Sequence, residues 1–424
     1  MKKRKSSEWS RLDNAAKIFP PNSKKSDTKV FRFVCKLNEI IDESILQKSL
    51  DVTIEEFPLY KSVIKSGLFW YYFEKSHLHP VVTEEYMPPC SPLFDRDKKG
   101  LLFRVMYYKN RISLEVYHAL SDGTGALQFL RTLVYHYIIM KHPNDFINSK
   151  SPYLDYDASS TQKTDDSFLR YYTSRKDKGK NKRINAYQIK GLKIAEHRIK
   201  VIEGVMSLSE LMNLVKEYNT SITVFLSAIL MCSINEETAI RYKKAPIVLS
   251  IPVNLRRFFN SETARNFFGV INVGYNFSEN SNDLKDVISF LNTKFKESLT
   301  PENLSKRINS LSSLEQNYFL RLIPLKVKDF ALRIASSIVD KGNTSTLSNV
   351  GKIEMPDELK PYISSFDIFV STNKLQACIC SYEDILRVSF TSAFISTDIQ
   401  RRFFRKLTSL GIKIDVIANK IDDE

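Results

Sequence analysis

The stretch of this sequence richest in chemistry is Glu115-Val-Tyr-His118-Ala-Leu-Ser-Asp122-Gly123-Thr-Gly125. Imidazole is the side chain whose protonation changes near neutral pH, so a histidine with one nitrogen facing a cleft suits general-base work. Asp122, four residues on, can cap the helix that follows, pair with a cation, or orient the turn that aims the imidazole. Gly123 and Gly125 let the backbone turn tightly and let another segment or a ligand come close. A structural histidine beside a capped helix fits the same residues. Other chemistries fail on spacing. Gly123-x-Gly125-x-x-Gln128 lacks the third glycine of a dinucleotide site, and no Gly-x-Ser-x-Gly elbow occurs in the chain. Neither Cys-x-x-Cys nor His-Glu-x-x-His is present, so no metal is expected. The remaining histidines (His77, His79, His136, His142, His197) have no comparable partners and read as loop or helix-face residues.

The elements around this stretch explain how it would be held. Residues 111–118 alternate Ile112, Leu114 and Val116 with Ser113, Glu115 and Tyr117, the pattern of a strand that ends at the histidine. After the turn, Leu127, Leu130, Val134, Tyr137 and Ile138 recur at helical spacing. Residues 28–36 read as a strand, and a helix is predicted from Asp42 to Glu56, ended by Pro58. The aromatic runs beginning at Gly67 and Gly100 read as strands. From Pro143 to Arg183 the sequence turns polar and aperiodic, as in a linker or long surface crossover.

Beyond it, a strand at 197–204 leads into a helix opened by the capping box Ser207-x-x-Glu210, and a second helix starts near Thr223. Strands are predicted at 247–254 and 267–277, and helices at 284–298 and 326–340. The finish is strand-rich, with a helix from Asp398 and a last strand near 411–417. The expected organisation is mixed α/β: an N-terminal lobe over 1–150, a linker over 151–190 and a C-terminal lobe over 191–424.

Composition narrows the class. With 424 residues, 43% hydrophobic and 26% charged, the chain can bury a large core. Five cysteines argue against a disulfide scaffold, and Cys378 and Cys380, two apart on a strand, read as small core residues. The start is basic without an apolar run, so a cytoplasmic location is expected. The net charge of +15 favours a polyanionic partner, although Lys2–Lys5 and Ser174–Arg183 carry much of it in runs typical of solvated tails. No zinc finger, aromatic RNA-binding signature or helix-turn-helix accompanies the charge, so nucleic acid is not the expected partner. Weak docking of the Lys2–Lys5 tail on anionic lipid is a further expectation.

His118-Ala-Leu-Ser-Asp122-Gly123 resembles the His-x-x-x-Asp-Gly motif of the chloramphenicol acetyltransferase-like superfamily. Three other stretches resemble its bacterial alcohol acetyltransferase-like branch in the same order: Asn14-Ala-Ala-Lys-Ile-Phe19-Pro20, Pro252-Val-Asn254-Leu-Arg256 followed by Asn266-Phe-Phe-Gly269, and Leu347-Ser348-Asn349-Val350-Gly351. The Asp-Phe-Gly-Trp-Gly motif of the plant branch is missing. Tyr117 stands where condensation domains carry a second histidine.

The resemblance implies a pseudo-dimer of two acetyltransferase-like lobes with a tunnel between them. It implies a monomer, because the two lobes supply their own interface. Acyl-coenzyme A, or an acyl carrier protein, would donate to a small alcohol, amine or lipid acceptor, with no cofactor held permanently. His118 would be the general base. Ser348 or Asn349 would donate a hydrogen bond to the oxyanion, or else simply end a strand. Asp122 would point away from substrate and pair with Arg256 in a structural role. Gly67–Glu74 reads as a core strand, with the lining of an acceptor tunnel as the alternative. The rival readings are a scaffold that kept this fold without its chemistry, and a stand-alone condensation-type enzyme.

Overall fold

The strand that delivers His118, Arg111–Tyr117, is the central member of a five-stranded sheet ordered Ile363–Val370, Val30–Leu37, Arg111–Tyr117, Phe103–Tyr108, Thr83–Glu84. The computed structural model describes residues 9–146, 154, 159–173, 185–195, 198–316 and 322–419. The basic runs Lys2–Lys5 and Ser174–Arg183, and His197, lie outside the described residues.

Val30–Leu37 is buried at every position but Lys36. Its one buried charge, Arg32, meets Glu115 at 2.7 Å and Glu85 at 3.1 Å, which is how a cation is tolerated in a strand covered on both faces. Two helices pack together and contribute to the same core: Glu43–Glu56, capped by Asp42, and Gly123–Lys141. The stripe Leu127, Leu130, Val134, Tyr137 and Ile138 is buried there, as its spacing predicts.

The second sheet has seven strands, ordered Phe268–Tyr275, Ile247–Asn254, Ser345–Lys352, Leu375–Tyr382, Ile385–Ser392, Lys200–Ser207, Asp415–Ala418. Ser345–Lys352 runs parallel to both its neighbours, and the other pairs are antiparallel. The helix Ile222–Glu237 is buried without interruption from Val224 to Asn235. No single helix among the described residues is long and apolar enough to cross a membrane. A small third sheet joins Trp9–Arg11, Tyr71–Lys75 and Ser62–Ser66.

In three places the structure departs from the expected division at 150 and 190. Strand Ile363–Val370, far into the C-terminal half, pairs antiparallel with Val30–Leu37 and completes the first sheet, placing Ile363, Phe366 and Ile368 in the first core. The next strand, Leu375–Tyr382, returns to the second sheet and serves both cores: Leu375, Ala377 and Ile379 face the second, while Cys378, Cys380 and Tyr382 face the first. The two-residue period of a strand allots alternate side chains to the two cores.

The described parts of the expected linker also pack. Ser167–Arg170 is a short helix whose Phe168 is buried against Phe267. A helix over Pro301–Gln316, not anticipated from its polar sequence, adds Leu304 and Ile308 to that cluster.

Candidate active site

His118 follows directly on its strand, and its backbone N–H donates to the carbonyl of Lys29 at 2.9 Å. Three aromatic rings hold the imidazole: Phe19 stacked at 4.5 Å, Phe31 edge-on at 5.1 Å and Phe268 tilted at 5.4 Å. Nδ1 lies 3.2 Å from Oδ1 of Asn266. Desolvation among these rings lowers the imidazole pKa below its ordinary value. A hydrogen bond with its own backbone, the charge of Asp122 and the contact with Asn266 oppose the shift. The result is a part-exposed, neutral imidazole.

Asp122 turns away from the imidazole. Its Oδ1 accepts from the N–H of Gly125 at 2.9 Å, capping the helix Gly123–Lys141. Arg256 donates through Nη1 to Oδ2 at 2.8 Å and through Nη2 to Oδ1 at 3.2 Å, and the N–H of Phe267 donates to Oδ2 at 2.7 Å. Arg256 also donates to the carbonyls of Thr263 and Arg265, so one guanidinium ties the loop 261–267 to the turn after His118.

That loop sits against the start of the helix. A Cβ at Gly125 would lie 2.1 Å from the carbonyl oxygen of Ala264, which accepts a hydrogen bond from Ser121 Oγ at 2.6 Å. The close approach therefore requires glycine at 125. At Gly123 the same construction meets nothing within 4 Å, so the tight contact expected of both glycines belongs to Gly125.

Asn266 has a second set of contacts. Its Nδ2 donates to Asp13 Oδ2 at 3.3 Å and to the carbonyl of Ala119 at 3.4 Å. Asp13 is fully buried, accepts from the N–H of Ala16 at 2.7 Å and lies 3.6 Å from Arg265; burial pushes its carboxyl up to about 6. Asp13, Phe19 and Asn266 had no role assigned from sequence. The available signal was position: Phe19 and Asn266 lie in the stretches that carry the family resemblance, and Asp13 stands immediately before the first of them.

Ser348 and Asn349 lie on Ser345–Lys352, where the ladder slips between Asn349 and Gly351. Asn349 Oδ1 accepts from the N–H of Gly351, whose φ of +93° is left-handed, and Nδ2 donates to Thr223 Oγ1 at 2.9 Å. Among the described residues, the amide of Asn349 is engaged within the second lobe rather than with His118. The neighbouring Val350, like Phe268, packs on the core that contains Phe19 and Phe31. Two cavities, of about 310 and 220 Å³, border the helix Asp398–Ser409 and the residues around Cys232 and Asn282; neither borders His118. Among the described residues, no group of three or more His, Cys, Asp or Glu side chains could hold a metal ion.

Residues 158–381, more than half the chain, match the alcohol acetyltransferase family model. The match covers Arg256, Asn266, Ser348 and Asn349 but begins after His118 and Asp122. No curated protein matches in sequence. Solved structures with the same fold include polyketide synthase associated protein 5 from Mycobacterium tuberculosis (15% identity, TM-score 0.59, covering 95% of this chain and 97% of that one). F. graminearum TRI101 complexed with coenzyme A and T-2 mycotoxin is similar at 11% identity and a TM-score of 0.66, over 96% of this chain and 99% of that one. The first condensation domain of the CDA synthetase matches at 13% identity and a TM-score of 0.63, over 96% and 97% of the two chains. On the family match over 158–381, the chain belongs to the alcohol acetyltransferase family, built on the fold shared by acetyltransferases and condensation domains.

Proposed function

We propose that this protein transfers an acyl group from a coenzyme A thioester to the hydroxyl of a small acceptor, with His118 as general base. The observation that carries the reading is the pairing of a neutral, aromatic-walled imidazole with an aspartate turned away into Arg256. The bound coenzyme A and T-2 mycotoxin in TRI101 support a thioester donor and an alcohol acceptor. Similarity to a condensation domain keeps a carrier-bound donor and an amine acceptor as variants.

In the reaction, His118 Nε2 takes the acceptor proton as the oxygen attacks the thioester carbonyl. The tetrahedral oxyanion collapses, the C–S bond breaks, and the thiolate recovers the proton from the imidazolium. A positioned base contributes ~10²–10⁴-fold. Holding donor and acceptor together, in a tunnel between the lobes, contributes through effective concentration. Asn349 Nδ2 has one hydrogen beyond its bond to Thr223, which fits it as an oxyanion donor. In this reading the chain works as a cytoplasmic monomer.

The test is thiol release from acetyl-, octanoyl- and palmitoyl-CoA against a panel of alcohols and amines. Wild type and His118→Ala would be compared, with folding of the variant verified by circular dichroism. Activity that falls ~10²–10⁴-fold in the folded variant supports the base. Equal rates in the two proteins exclude it.

One observation favours a lipid acceptor met at an anionic surface. The helix Leu325–Asp340 turns Val327, Phe330, Ile334 and Ile338 to solvent, with exposures of 55, 65, 47 and 41%. Lys326 and Arg333 lie along one flank of this stripe and Lys328 along the other, the arrangement of a helix that lies in a bilayer interface. Sedimentation with phosphatidylserine vesicles, but not with phosphatidylcholine alone, and its loss in Phe330→Asp/Ile334→Asp, are the expected results. Equal binding by both proteins removes the surface reading and leaves the acyl-transfer chemistry untouched.

A further inference from the structure

We infer that Asn266 is a positioning residue for His118: anchored by Asp13 and the Ala119 carbonyl, it holds the imidazole in the tautomer protonated on Nδ1 and leaves Nε2 as the basic nitrogen. The inference rests on the acyl-transfer reading of the site and names the residue that makes the base competent.

The argument turns on the two ends of a carboxamide. One is an acceptor only and the other a donor only, so the amide's orientation dictates what each neighbour must be. Nδ2 of Asn266 faces two groups that can only accept in this arrangement: Asp13 Oδ2 at 3.3 Å and the Ala119 carbonyl at 3.4 Å. Rotating the amide by half a turn would set its oxygen against both of them. Oδ1 must therefore face His118, and at 3.2 Å from Nδ1 it accepts only from an N–H. The proton of the neutral ring is thus on Nδ1, and the lone pair on Nε2 is free for an acceptor hydroxyl. The hydrogen bond between the ring and its own backbone leaves the aim of that lone pair to the wider surroundings, where Asn266 supplies the one side-chain hydrogen bond given for the ring.

The anchoring is secure because Asp13 is itself fixed. It caps the turn at Ala16 and lies beside Arg265, whose Nη2 donates to the carbonyl of Arg11. The loop 261–267 is also pinned from the other side by Arg256. Asn266 thus connects three segments distant in sequence, 11–16, 118–122 and 261–267, and the imidazole is where they converge. The other charged groups near the ring are Lys29 at the start of the first-sheet strand, Asp122 on its own turn and, behind Asn266, Asp13 with Arg265.

Two variants and two readouts test the inference. Asn266→Ala deletes the acceptor; kcat is expected to fall roughly 10- to 100-fold, a part of the ~10²–10⁴ that a positioned base contributes, with KM for the acyl-CoA little changed. Nitrogen-15 chemical shifts of labelled histidine read the tautomer directly: Nδ1–H for His118 in wild type, a mixture in Asn266→Ala. Asn266→Asp keeps an acceptor at Nδ1 and adds a negative charge beside the ring. It should retain most of the activity while moving the acid limb of kcat/KM to higher pH, a shift that a residue serving only the fold would not produce.

Wild-type kcat together with an unchanged Nδ1–H signal in Asn266→Ala would overturn the inference. If Asn266→Ala does not fold, an unmoved acid limb in Asn266→Asp overturns it as well. Failure of the acyl-transfer reading is separable: wild type would release no thiol with any donor, while the nitrogen shifts would still report whether Asn266 sets the tautomer.

Discussion

Two polar contacts join the turn after His118 to the loop 261–267, and they are built on opposite plans. At Asp122 every interaction is saturated: two backbone N–H groups and two guanidinium nitrogens converge on one carboxylate, all within 3.2 Å. At His118 the given contact with the loop is one hydrogen bond of 3.2 Å, made by a ring whose remaining neighbours are Phe19, Phe31 and Phe268. The contrast separates holding from reacting. A saturated buried charge resists any change of partner, whereas a desolvated, singly bonded imidazole keeps one nitrogen for an incoming group. The two residues of one short motif therefore do different work, and the loop is where both are set.

Substitutions can break this comparison in order of effect. His118→Ala should remove ~10²–10⁴ of kcat while leaving the midpoint of urea unfolding unchanged within error. Asp122→Ala and Arg256→Leu should do the reverse first, each lowering stability by ~3–5 kcal/mol because one strands a buried guanidinium and the other a buried carboxylate. A double-mutant cycle between them should show strong coupling, and additive effects would refute the pair as the seam between the halves. Gly125→Ala should cost ~1–3 kcal/mol by pushing the Ala264 carbonyl away, whereas Gly123→Ala should stay within ~1 kcal/mol of wild type. Equal losses at the two glycines would contradict the close approach at 125.

The pH profile sharpens the same contrast. Burial disfavours the imidazolium, so the base form of His118 persists below the ordinary histidine value of 6.5. As pH falls through the lowered pKa the ring is protonated and kcat/KM declines. The acid limb should therefore lie below 6.5, and a limb above that value would count against His118 as the base.

Local pattern made much of the fold legible. The strand into His118, the helix from Gly123, the Ser207 cap and the helix Leu284–Ser298 follow from spacing and cap residues alone. What was not legible depended on distant partners. Nothing in the composition of Ile363–Val370 says that it pairs with Val30–Leu37 rather than with the strands that follow it. Pro301–Gln316 buries only a narrow stripe, with Leu304 and Ile308 at its base, so its polar faces hid its period. The site divides along the same line. His118, Asp122 and Arg256 stand out in motifs, and the last two meet at 2.8 Å. Asp13 and Asn266 acquire meaning only through a contact spanning 253 residues of chain.

The crossing of Ile363–Val370 into the first sheet has a consequence for anyone who would rearrange this protein. The halves cannot be exchanged between relatives as if they were beads on a string. A chimera cut anywhere between residues 150 and 190 would import a foreign edge strand into the sheet that carries His118. Grafts that keep 30–37 and 363–370 from the same parent would respect the weave, and those that separate them would ask two unacquainted strands to find each other's register.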